Sequence, residues 1–126
     1  MKKVLFIIFI LSVTVFSNGY FEANEDILEN QFELKYPIIS DGVTQINNID
    51  YDVTISPNKA FLEIEIESVF GDANWSKINK QALETVLLEL VTDIRTEVNN
   101  PTLSVTVFIK LDREVGSDKI LLNKTY

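Results

Sequence analysis

The chain has 126 residues, 46% of them hydrophobic, with 19 Asp and Glu against 11 Lys and Arg and neither His nor Cys. Without His or Cys there is no thiol nucleophile, no disulfide and no His-dependent triad, and a zinc site would rest on carboxylates alone, a poor donor set for that ion. The net charge of −8 opposes nucleic acid and anionic membrane surfaces, which draw much of their affinity from Lys and Arg neutralising phosphate.

Lys2 and Lys3 form a positive start, and Val4 to Phe16 follow as a mostly apolar run, shorter than the roughly 20 residues that span a bilayer. Small residues permit cleavage after Ser17 or after Gly19, with side-chain size favouring the second. Residues 1–19 are therefore expected to be a signal peptide and 20–126 a single acidic α+β domain. All 19 acidic residues but only 9 of the 11 Lys and Arg lie beyond residue 19, so the expected mature chain carries −10. With no Cys to take a lipid anchor, export implies a free product, secreted or otherwise extracytoplasmic, with no stable membrane insertion.

Asn24 to Lys35 reads as a short helix, capped by Asn24, with Glu25 and Asp26 in the first turn and Ile27, Leu28 and Phe32 on one stripe; Pro37 stops it. Ser40-Asp41-Gly42 is a turn. Tyr51, Val53 and Ile55 then alternate with Asp52 and Thr54, as a half-buried strand does. After a turn at Ser56-Pro57-Asn58-Lys59, Leu62, Ile64 and Ile66 alternate with Phe61, Glu63, Glu65 and Glu67, completing a hairpin with one apolar and one acidic face. Gly71-Asp72-Ala73-Asn74 breaks the strand. Ile78, Ala82, Val86, Leu90, Ile94 and Val98 then recur every four residues, widened by Leu83, Leu87 and Val91, which predicts one long amphipathic helix ended by Asn99-Asn100-Pro101. A long strand over Leu103 to Leu111, a loop from Asp112 to Asp118 and a last strand from Lys119 to Thr125 complete the chain.

The expected fold is thus α+β in (α)ββαββ order, a two-layer sandwich in which one long helix covers a four-stranded, mainly antiparallel sheet. This order resembles the small modules that build rings or bind surfaces in bacterial envelopes. The likeness is one of topology and carries no functional residue over.

Ser76 and Lys80, four apart on the expected helix, formally suit a serine–lysine pair, but capping is the commoner work of Ser76 or Asn74 at such a position. The loop Asp112-Arg113-Glu114-Val115-Gly116-Ser117-Asp118 departs from the calcium-loop pattern, since its glycine falls at the fifth position and Asn123 at the twelfth. Asn74-Trp75-Ser76 and Asn123-Lys124-Thr125 match the glycosylation sequon, a chance match in a bacterial product. Phe61, Glu63, Glu65 and Glu67 form the one sustained surface feature. It reads as a solvated outer face or, functionally, as a docking surface for a basic protein or envelope component; side chains about 7 Å apart along one strand do not wrap an ion by themselves. The expectation is a non-enzymatic exported binding or structural protein of the bacterial envelope or exterior, without catalytic residues, metal or cofactor. The alternative is a small acidic inhibitor or immunity-type protein that masks a basic partner surface.

Overall fold

The computed structural model describes residues 20–113 and 116–126; the expected signal peptide lies outside them. In chain order the elements are helix α1 (Glu22–Lys35), strands β1 (Ile39–Ser40), β2 (Gln45–Ile46), β3 (Ile49–Ser56) and β4 (Lys59–Ile66), helices α2 (Gly71–Lys77) and α3 (Lys80–Glu97), and strands β5 (Ser104–Leu111) and β6 (Lys119–Thr125). The class is α+β. The expected single long helix over a mainly antiparallel sheet is corrected in two respects. Among the described residues three helices are present, and the four-stranded sheet, ordered β3-β4-β5-β6, is mixed and accompanied by the small β1–β2 sheet. β3 and β4 pair antiparallel, β4 and β5 parallel, and β5 and β6 antiparallel, the last with an irregularity between Ile109 and Lys110. The parallel pair follows from the connection: a chain that leaves β4, crosses by a long helix and returns beside β4 points the same way again.

Strands β3, β4 and β5 of the large sheet have a two-residue period, whereas β6 at its edge buries no residue fully. Tyr51, Val53, Ile55, Leu62, Ile64, Ile66, Val105, Val107, Ile109 and Leu111 are buried in a core that they share with Leu83, Leu87, Leu90, Val91 and Ile94 of α3. Among the described residues no polar or charged side chain is fully buried.

The N-terminal helix begins two residues before the expected Asn24 cap. Asn24 instead donates its side-chain amide to Glu97 Oε2 at 3.0 Å, and Phe21 at the N-cap makes no side-chain bond. Leu28 and Phe32 are wholly buried, with the Phe32 ring edge-on to Tyr51 at 5.7 Å, whereas Ile27 of the expected stripe is half exposed. Lys35 ties the end of α1 to α3 through Glu89 at 2.7 Å and Asp93 at 2.8 Å.

The stretch after β4 is also corrected, from a strand break to a short helix. A Cβ on buried Gly71, the first residue of α2, would stand 2.7 Å from Leu111 Cδ1 and 2.8 Å from Ile66 Cγ2, so any larger residue would force those side chains to shift. The chain turns extended at Ile78, and Asn79 caps α3 by accepting from the Gln81 and Ala82 amides, both at 2.9 Å. The expected long helix is thus divided. The β1–β2 hairpin is pinned to this corner by Asp41, whose carboxylate accepts from Val43 and Thr44 within its own turn and from the Asn79 amide across it. Those bonds hold the Asp41 carboxyl below its usual range.

Candidate binding face on the open side of the sheet

The alternation that buries one side of each strand presents the other. Register aligns Thr54, Phe61, Thr106 and Thr125 across the four strands, then Asp52, Glu63, Phe108 and Asn123, then Asp50, Glu65, Lys110 and Ile120. These side chains are exposed or half-buried, and among the described residues no element joins them in the core. Parallel strands usually have both faces covered, so a bare face over the β4–β5 pair is uncommon.

At its middle the rings of Phe61 and Phe108 stack with centroids 6.4 Å apart and planes inclined by 21°. Lys59 Nζ lies 5.6 Å from the Phe61 centroid at one end. Toward the other end the face becomes acidic. Lys110 stands among carboxylates there, 3.4 Å from Glu63, 3.9 Å from Glu65 and 3.8 Å from Asp118, and this company, Glu63 foremost, raises its pKa.

Phe61, Glu63 and Glu65 lie together on β4, where their period-two spacing put them. Glu67 lies just past the strand end; its amide donates to Asn48 O at 2.9 Å. There the Asp50, Glu65 and Glu67 carboxylates come within 4.8 Å of one another, as do those of Glu65, Asp112 and Asp118. Spacing along β4 alone missed this crowding, because Asp50 comes from the neighbouring strand. Repulsion by Asp50 is the main cause of the raised Glu67 pKa, and burial the main cause for Glu65. Oxygen donors in such triplets have the chemistry to attract a hard cation, although exposed carboxylates are common without one.

Phe108 was missed as a site residue. Its alternation with Val107 and Ile109 marks it as outward-facing, but only the β4–β5 register shows that it meets Phe61. Ser76 and Lys80 fall on separate helices: Ser76 donates to Asp72 O, and Lys80 reaches the Trp75 carbonyl and stands 4.8 Å over its ring. Residues 114–115 of the Asp112–Asp118 loop lie outside the described set.

The two sheet edges differ. Along β3, the Val53 amide donates to Glu29 Oε2 and the Ile55 amide to Glu25 Oε2, both at 2.8 Å, so α1 supplies acceptors where an added strand would pair. Burial pushes the pKa of both glutamates up, against the lowering effect of these bonds; Asp52 adds to the rise at both. Among the described residues no strand pairs with the outer edge of β6, and its Lys119 and Lys124 pair with Asp72 and Glu84 on the helical side. Comparison with protein families, with curated proteins and with solved structures finds no match to this chain.

Proposed function

We propose that this is an exported, non-enzymatic binding protein that takes a basic polypeptide segment on the open face of its sheet. One observation carries the reading: the Phe61–Phe108 pair stands on a sheet face that no described element covers, bordered by Asp50, Asp52, Glu63 and Glu65. Rigid aromatic rings supply contact area at small entropic cost, and a guanidinium or ammonium group gains both from the ring faces and from the carboxylates beside them. Charge complementarity selects a cationic partner, and a body of negative net charge steers it in. The Lys2-Lys3 start and the apolar run that follows it support an encounter outside the cytoplasm.

The test uses an extended peptide of alternating Arg and Thr, titrated at low and at physiological salt. Binding should weaken as salt rises, and Glu63→Lys with Glu65→Lys should abolish it while the circular dichroism spectrum stays that of the parent. Equal binding by the double variant would end the proposal.

A further inference from the structure

A second surface lies at the far corner, where the β1–β2 hairpin faces α2. It is an open cleft of about 680 Å³, and its lining includes Gln45, Asn47, Phe70, Asn74 and Lys77. In a chain of net charge −8 the described residues that line the cleft include no carboxylate, and Lys77 is the one charged group among them. Elsewhere most lysines are engaged: Lys35, Lys110, Lys119 and Lys124 in ion pairs, Lys59 over Phe61 and Lys80 over Trp75. Among the described residues the side chains of Gln45, Asn47, Asn74 and Lys77 have neither hydrogen-bond partner nor counter-ion. Phe70 stands at the cleft 69% exposed.

This donor set has a particular chemistry. Each carboxamide offers a donor pair beside an acceptor, which suits neighbouring hydroxyls that both give and accept. An exposed ring suits the flat C–H face of a pyranose, and an ammonium group suits a carboxylate. Openness to solvent fits one or two units of a chain better than an enclosed small molecule, and at physiological salt the charges elsewhere on the domain are screened beyond about 8 Å.

We infer that this cleft binds a carboxylated sugar unit of a polysaccharide, with Lys77 on the carboxylate, Phe70 against the ring and the three amides on its hydroxyls. The inference stands apart from the acidic sheet face, and its test reads different residues. Trigalacturonic acid, galactotriose and triglycine are titrated into the full chain, and the side-chain amide signals of Gln45, Asn47 and Asn74 are followed by nuclear magnetic resonance.

The acidic trisaccharide should move these signals and leave those of Phe61 and Phe108 in place, with galactotriose about tenfold weaker for want of the charge-assisted bond. Lys77→Gln should erase that preference, and Phe70→Ala should weaken both sugars. The inference fails if neither sugar moves the cleft at millimolar concentration, if Lys77→Gln keeps the preference, or if triglycine binds as tightly as the acid sugar.

Discussion

Glu29→Ala and Glu29→Gln separate two roles of one side chain. The carboxylate accepts the Val53 amide at 2.8 Å on the edge of the sheet, yet burial and the nearby Asp52 both push its pKa up, so the charge itself is a burden there. Alanine removes the acceptor and returns the amide to water. A bond to a charged acceptor contributes about 1.5–3 kcal/mol, reduced here to about 1 kcal/mol because the carboxylate remains largely solvated. Glutamine keeps a carbonyl oxygen in reach and discards the charge, so its loss should be close to nil. Treating Glu25 and Ile55 in the same way, the Glu25→Ala/Glu29→Ala pair should lose about 2 kcal/mol in urea unfolding followed through Trp75, while the double glutamine variant stays near the parent. The alanine pair also uncovers the β3 edge, and sedimentation should show self-association absent from the glutamine pair. If glutamine destabilises as much as alanine, the edge is closed by charge and not by the acceptor oxygen.

Three further outcomes follow from the packing and the ionisable groups, and a fourth from the leader. Gly71→Ala should lose about 1–3 kcal/mol by overpacking against Leu111 and Ile66, measured by urea denaturation; an unchanged midpoint would mean that the corner gives way easily. Phe32→Ala should cost about 3–5 kcal/mol, since the ring is wholly buried against Tyr51, with thermal melting as the readout.

Stability should peak at about pH 4 to 5. Asp41 and Glu89 are lowered from 3.8 and 4.5, so the stability they contribute is lost as pH falls through their folded values. Glu25, Glu29, Glu65 and Glu67 are raised from 4.5, so the folded state holds protons more tightly than the unfolded one and stability declines as pH climbs above 4.5. A melting temperature that rises steadily from pH 4 to pH 7 would contradict these directions. Finally, the product exported by a bacterial host should begin at Tyr20 or Asn18 on mass spectrometry; an intact Met1 to Tyr126 product found outside the cell would remove the signal-peptide reading.

Local pattern revealed the four strands of the large sheet but not the two-residue strands β1 and β2, which are too short to show a period. Lys119–Thr125 matches the expected last strand residue for residue, and the alternation over Phe61 to Ile66 placed the acidic side chains on one face. The parallel β4–β5 pair was harder to read, because alternating polarity on β4 looks like an antiparallel sheet with one wet face. The cue lay in the connection, a long helix between two strands. The corner at Gly71 to Asn79 was hidden for another reason. Its glycine answers to a close approach by Leu111, forty residues away in sequence, and its helix is too short to show a period. Phe61, Glu63 and Glu65 were legible from spacing, whereas Phe108, Asp50 and Lys110 join them only through cross-strand register, which a two-residue period does not specify.

The most direct test of the binding-face account is a map of amide shift changes on adding the alternating Arg-Thr peptide to isotope-labelled protein at low salt. The account predicts that the largest changes fall on Phe61, Glu63, Glu65 and Phe108 and fade as salt is raised. Changes centred on the outer side of α3, around Leu88 and Thr92, with the sheet face undisturbed, would contradict it.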